Sequence, residues 1–539
     1  MPLGGSRLAR PLIAISTLGA TSYIAYKYYN KPAPPQTFEI AVRQRQADGS
    51  VARVPMTLPM IPVHEIDERL RRHEIIGPWL PSGWRLCTAH LNANDPIEDS
   101  HAHAVLRPDS ITSLEPATGC DTETLMVGVF DGHGGYATSR LLAKTLLPGI
   151  ALELHTLREL KPQSSASSSP TGVLSYLKAL VTTPPDQAPS LHVTPASFDT
   201  DPKYVSMALK TAFARLDSEI VGSPFRLLSP LFKDPTAKLD LDKNPMALPN
   251  LLPALSGSCA LVALLDAQNK HLHVAVTGDS RAVAGLRPVG DSSAKWIIDV
   301  LTEDQTGRNA SELKRIQSEH PPEEADIVIQ RGRILGGLEP SRAFGDARYK
   351  WPVEFQRRLA RALEGSNQLL RRPPADLRSP PYVTSEPVTT HRSLQGDFGQ
   401  ASGIRFVVLA TDGLWDELSN AEVVGLVGAH LDGRRGQLAK SELALSVAQG
   451  ASAGVDGKQF ARSGDRGYQQ GEQWQFVDDN VATHLLRNAI GHGDPTRLRQ
   501  NLSIPAPHAR RYRDDITVTV IWLEDPSSAP PVVPAKAKL

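Results

Sequence analysis

Cysteine is nearly absent: the 539 residues include three, Cys87, Cys120 and Cys259. An odd number without paired spacing offers neither a disulfide framework nor a zinc-binding set, and it fits a reducing compartment or inert buried thiols. Net charge is absent as well, since 58 Lys and Arg balance 58 Asp and Glu. That balance removes any global reason to expect a nucleic-acid or acidic-membrane partner, so local charge must carry the chemistry. No segment is duplicated between Glu98 and Asp514, which excludes a repeat array and favours one large, insertion-rich catalytic domain.

Acidic residues are missing from Met1 to Phe38, where Arg7, Arg10, Lys27 and Lys31 flank an uncharged run from Pro11 to Tyr26. An acid-free, arginine-bearing start of this kind reads as a mitochondrial leader. The run lies close to the lower limit of about 17 residues for spanning a bilayer, so the leader is expected with or without an inner-membrane anchor. A merely disordered start is one alternative, and a cleaved secretory signal is a weaker one, because no small-x-small site follows the run. The expected organisation is a leader over 1–35, a linker over 36–83, a catalytic domain over 84–524 and a disordered tail over 525–539.

Short apolar or β-branched runs bounded by glycine, aspartate or polar breaks predict strands at Met126–Phe130, Cys259–Leu265, Leu272–Thr277, Trp296–Leu301, Phe406–Ala410 and Ile516–Trp522. The run Leu261–Val276 reads as two strands around a polar turn, the mark of an antiparallel hairpin. Helical periodicity covers Ala137–Leu154, Val205–Val221, Ser311–His320, Phe355–Leu363, Glu422–Leu431 and Val481–Ile490. The Ser/Pro-rich Pro162–Pro195, the Pro-rich Gly222–Pro253 and the Gly/Gln/Ser-rich Gly450–Gln475 read as surface loops. An antiparallel β core with segregated helices, an α+β fold, follows.

The chemistry is carried by aspartates at strand ends: Val-Phe-Asp131-Gly132-His133, Val-Thr-Gly-Asp279-Ser, Ala-Thr-Asp412-Gly and Arg-Asp514-Asp. Carboxylates delivered together repel one another unless a cation lies between them, and oxygen donors suit hard ions such as Mg2+ or Mn2+. Gly132 permits a close backbone approach, and His133 beside it can donate a proton to a leaving alkoxide. A helical turn after Gly413 would put Asp412 and Asp416 on one face. In Asn94-Asp-Pro-Ile-Glu98-Asp99 adjacent carboxylates point opposite ways on a strand, so at most one ligates directly while the other orients a water. Asp478-Asp479-Asn480 reads as a helix cap, and Asp514 is the better last ligand. Ser256-Gly-Ser258 reads as close packing, Gly336–Asp346 as a packed loop under the site, and His101 and His103 as structural.

The ordered set Glu98-Asp99, Asp131-Gly-His-Gly-Gly, Ser256-Gly-Ser-Cys-Ala, Gly278-Asp-Ser-Arg, Ser341-Arg-Ala-Phe-Gly-Asp, Asp412-Gly-Leu-Trp-Asp and Asp514-Asp resembles the type-2C (PPM) metal-dependent protein serine/threonine phosphatases over about Trp84 to Leu523. Within that family the likeness is to mitochondrial pyruvate dehydrogenase phosphatases and fungal relatives, carried by Asn92–Asp99, Tyr349-Lys-Trp-Pro, Pro380–Pro387 and Asp479–Ala489. The resemblance implies a four-layer α/β/β/α sandwich and a phosphoprotein substrate, including the pyruvate dehydrogenase complex. It implies that Asp131 bridges two metals, Gly132 offers its carbonyl, Asp412 and Asp514 complete one shell, and Glu98 holds waters of the other. Asp279 and Asp416 correspond to a weaker third ion, and His133 to the acid that protonates the departing serine or threonine oxygen after in-line attack by a metal-bridging hydroxide. Asn94 stands where many relatives carry a phosphate-clamping arginine, which implies modest phosphate affinity. A non-catalytic phosphatase-like scaffold and a hydrolase of small phosphoesters are the competing readings.

Overall fold

The computed structural model describes residues 36–106, 124–159, 201–228, 245–363, 370–395, 402–450 and 471–524, apart from 47, 79, 81, 269, 289, 290 and 292. The expected leader, the Ser/Pro-rich loop and the tail lie outside the described residues. Among the described residues no helix is long and apolar enough to cross a membrane. The chain forms two compact units that meet in sequence at Ile66 and Asp67.

The first unit is an antiparallel hairpin, Thr37–Arg45 against Val51–Pro59, with Phe38, Ile40 and Leu58 buried. Period-2 alternation of Phe38, Ile40 and Val42 accounts for the strand. The stretch 36–83, expected as a linker, therefore carries regular structure, and Ile75–Ile76 forms the edge of a sheet in the second unit.

The second unit holds two main sheets. A five-stranded sheet runs Val388–Ser393, His271–Thr277, Ala260–Asp266, Thr124–Phe130, Ser100–Leu106, antiparallel throughout. A seven-stranded sheet runs Val447–Gln449, Trp296–Val300, Arg281–Pro288, Ser402–Ala410, Ile516–Leu523, Trp84–Leu91, Ile75–Ile76, with one parallel pair at the Val447–Gln449 edge. The expected hairpin is present as Ala260–Asp266 paired to His271–Thr277.

Alternation along each strand builds the layers. Leu125, Val127 and Val129 face Ala282, Ala284, Val407 and Leu409 in the core between the sheets. Their neighbours Met126 and Phe130 face outward, onto Leu142, Leu146 and Ile150 of the helix Ala137–Glu159 and onto Leu209 and Phe213 of Pro202–Leu228. The helices Asn420–Leu431 and Val481–Gly491 cover the other sheet. The result is the α/β/β/α arrangement.

Two insertions differ from expectation. Gly222–Pro253 is not all loop: the helix Pro202–Leu228 runs through Pro224, and a further helix, Ala247–Leu255, buries Ala247, Leu251 and Ala254 in the core. The Leu251/Ala254 spacing outweighs the breaking tendency of Pro253, which sits in the last turn. At the end of Gly450–Gln475, Gln473–Phe476 pairs with Gly436–Ala439 and buries Trp474.

Candidate active site

Strand direction decides where the carboxylates meet. Thr124–Phe130 and His271–Thr277 are both antiparallel to Ala260–Asp266, so they run the same way and deliver Asp131 and Asp279 to one edge. In the facing sheet Ala410 lies opposite Val518, so the end of one strand, followed by Asp412, meets the start of the other, preceded by Asp514. Asp131, His133, Asp279, Asp412 and Asp514 line one cleft of about 1010 Å³.

The acidic end is dense. The Asp412 amide nitrogen is 3.5 Å from Asp131 Oδ2. Asp131, Asp279 and Cys259 each offer a ligand atom within 4.8 Å of the others, and the Cys259 thiol donates to Asp279 Oδ1 at 3.1 Å. Burial, then the Asp412 charge, holds the Asp131 and Asp279 carboxyls well above the ordinary carboxylate range, and burial raises Glu98. A cluster that resists ionisation by itself becomes stable when hard divalent cations replace the protons, so the donor set fits Mg2+ or Mn2+. Gly132 is required here: a Cβ would come 2.0 Å from the Glu98 carbonyl oxygen.

Not every expected ligand opens onto the cleft. Asp99 is 5 % exposed. Its Oδ2 accepts from the hydroxyls of Thr411 at 3.0 Å and Thr517 at 2.9 Å, so it ties the segments bearing Asp412 and Asp514 together from behind. Glu98 and Gly132 are also absent from the cleft lining, and the Glu98 backbone N–H donates to Asp515 Oδ2 at 2.9 Å. Asp416 follows Asp412 by one turn, its amide donating to the Asp412 carbonyl at 2.7 Å, and is not among the cleft-lining residues. Asn94 is likewise outside the lining: its amide donates to Asp515 Oδ2 at 2.9 Å.

Several site residues escaped sequence reasoning. Asp515 accepts from the backbone of Ala93 at 2.6 Å, Asn94 at 2.9 Å and Glu98 at 2.9 Å, and so fixes the acidic loop to the strand that follows Asp514. Arg510 lines the cleft with its guanidinium against Asp514 Oδ2. Asp346 lies 2.6 Å from His133 Nε2 through its Oδ2. That contact is built by a small sheet in which Gly257 lies opposite both His133 and Gly345. Burial disfavours the imidazolium, but the Asp346 charge and hydrogen bond outweigh it and raise His133 above the usual histidine range. The signal for Asp346 was its place directly after Phe344-Gly345, a short strand end of the same form as the others.

The protein phosphatase 2C family model matches residues 208–453. The chain is 34% identical over 465 residues to the mitochondrial [pyruvate dehydrogenase [acetyl-transferring]]-phosphatase 1 of Saccharomyces cerevisiae, covering 84% of this chain and 70% of that one. It is 34% identical over 438 residues to a protein phosphatase 2C homolog of Schizosaccharomyces pombe, covering 80% and 79%. It is 33% identical over 462 residues to the mitochondrial [pyruvate dehydrogenase [acetyl-transferring]]-phosphatase 1 of Homo sapiens, covering 80% and 76%. The chain belongs to the protein phosphatase 2C family and is a protein serine/threonine phosphatase.

Proposed function

We propose that the chain removes phosphate from phosphoserine or phosphothreonine of a mitochondrial protein, with the pyruvate dehydrogenase complex as the first candidate substrate because relatives at this identity act on it. The observation that carries the catalytic reading is the convergence of Asp131, Asp279, Asp412 and Asp514 on the cleft that also holds the His133–Asp346 pair.

Asp131, Asp412 and Asp514, the Gly132 carbonyl and Glu98 would hold two Mg2+ or Mn2+ ions, and Asp279, with Asp416 as the more distant candidate, a third. Bound there, such ions lower the pKa of water and neutralise phosphoryl charge. The chain's own residues do the rest. Arg510 orients the phosphate, the role that Asn94 cannot take while it donates to Asp515. His133, held by Asp346, protonates the departing side-chain oxygen. Asp99 and Asp515 act on the ligands through position, not contact. The acid-free N-terminal segment would supply mitochondrial targeting, with or without an inner-membrane anchor.

The deciding assay is phosphate release from a phosphoserine protein with and without Mg2+ or Mn2+. Activity that needs the ion and is lost in Asp131→Asn and Asp412→Asn supports the reading. Activity that survives both changes defeats it, and inactivity of the unmodified chain favours a scaffold.

A further inference from the structure

The cleft that is acidic at one end is basic along a wall. Arg357 and Arg361 stand one turn apart on the helix Val353–Ala362, and Arg371 and Arg372 directly follow Leu370. All four are exposed and line the same cleft as Asp131 and Asp412. Among the described residues none of the four makes an ion pair or side-chain hydrogen bond.

Their neighbours behave differently. Arg358 bonds Glu354 at 3.0 Å, and Lys350 bonds Asp217 at 2.7 Å. Arg357 and Arg361 reach Glu354 only through space. Arg361 suits the last turn of its helix, but like charges four apart destabilise a helix and Arg371 adjoins Arg372, so the clustering as such is not a device of the fold. In a chain of zero formal charge it is a local segregation. A solvated basic face is the plain alternative, but such a face has no reason to share a concave cleft with the catalytic carboxylates.

We infer that this wall receives the acidic flank of the phosphoprotein segment being processed, and so selects substrates with aspartate or glutamate near the phosphorylated residue; the inference rests on the phosphatase reading of the site. Guanidinium groups match carboxylates in a planar, two-pronged contact. Exposed pairs are individually weak and screened by salt, so their effect lies in capture and steering of substrate more than in the chemical step. Without them the acidic end of the cleft would repel a substrate carrying both phosphate and carboxylates.

The test uses the full chain and two labelled phosphoserine peptides of equal length, one flanked by aspartates and the other by asparagines. Binding is read by fluorescence anisotropy and turnover by kcat/KM, with p-nitrophenyl phosphate, which has no flank, as the reference rate for each protein. The acidic peptide is expected to be preferred roughly three- to tenfold in both readouts, through KM, with the preference falling as salt rises. In Arg357→Gln/Arg361→Gln and Arg371→Gln/Arg372→Gln the ratio should fall toward one. Equal handling of the two peptides by the unmodified chain, or a ratio unchanged in both variants, overturns the inference while leaving the phosphatase reading intact. So does binding to phosphatidylserine vesicles that both variants abolish without changing the peptide ratio. A chain that hydrolyses neither peptide nor p-nitrophenyl phosphate but still binds the acidic peptide more tightly keeps the wall and removes the catalytic reading.

Discussion

His133 Nε2 stands 2.6 Å from Asp346 Oδ2, across a strand position where only glycine fits. The carboxylate keeps the imidazole protonated at a pH where an isolated histidine would lose its proton. If His133 is the general acid, activity falls on the alkaline side as it deprotonates. Asp346→Asn removes the charge that raises it, so the alkaline limb of kcat/KM should move to lower pH, with a drop of about tenfold or more at neutral pH. A pH–rate profile checks this, and an unmoved limb would assign the proton to another group.

Gly257 is the second handle on that pair. A Cβ there would lie 2.1 Å from His133 Nε2 and 2.3 Å from Asp346 Oδ2. Gly257→Ala should therefore separate the pair and reduce kcat about tenfold or more through misplacement, while the far-ultraviolet circular dichroism spectrum is unchanged. Retention of full kcat would show that the pair does not serve the reaction.

The loop that carries Asp346 is held by a buried ion cluster. Glu312 accepts from Arg342 Nη2 at 2.7 Å, Arg315 Nη2 at 2.7 Å and the Ser341 hydroxyl at 2.6 Å. Burial alone would raise its carboxyl, but the hydrogen bonds from Arg342, Arg315 and Ser341 prevail and bring it to about 2. A depressed carboxyl contributes stability above its unfolded value, near pH 4.5, and loses it as pH falls toward 2. Glu312→Gln leaves buried Arg342 without its counter-charge, whereas Arg315 keeps Glu319, and should cost about 3 kcal/mol at pH 7 in denaturant unfolding. That loss should shrink on acidification.

Much of this was legible in the sequence, for particular reasons. The strands that deliver Asp131, Asp279 and Asp412 are apolar runs that lead into aspartate, Asp514 stands just before another such run, and the hairpin from Ala260 to Thr277 shows its polar turn. Helix Val481–Gly491 shows its Asn480 cap, whose side chain accepts from the amides of Ala482 and Thr483. What stayed hidden depends on register between distant segments. Nothing local marks that Gly257 will sit opposite both His133 and Gly345, nor that Asn94 will be occupied by Asp515. The helix Ala247–Leu255 was hidden by its prolines, and the hairpin Thr37–Arg45 with Val51–Pro59 by its place before the motifs.

Arg510 stands in the cleft where Asn94 does not. Arg510→Ala should raise both KM for phosphoprotein and the inhibition constant for inorganic phosphate about tenfold, the weight of a charge-assisted contact of about 1.5 kcal/mol. Asn94→Ala should instead act through stability, because it removes one of the two hydrogen bonds to Oδ2 of buried Asp515. Phosphate inhibition that responds to Asn94 and ignores Arg510 would reverse the assignment.

The strand-end carboxylates act together as one centre for divalent cations. Calorimetric titration of the metal-depleted chain with Mn2+ measures this directly. The account predicts saturable binding by the unmodified chain with release of protons, because the raised carboxyls of Asp131 and Asp279 must ionise to ligate. It also predicts that binding weakens about tenfold or more in each of Asp131→Asn and Asp412→Asn. Binding of equal strength in all three proteins, or none in the unmodified chain, would contradict it.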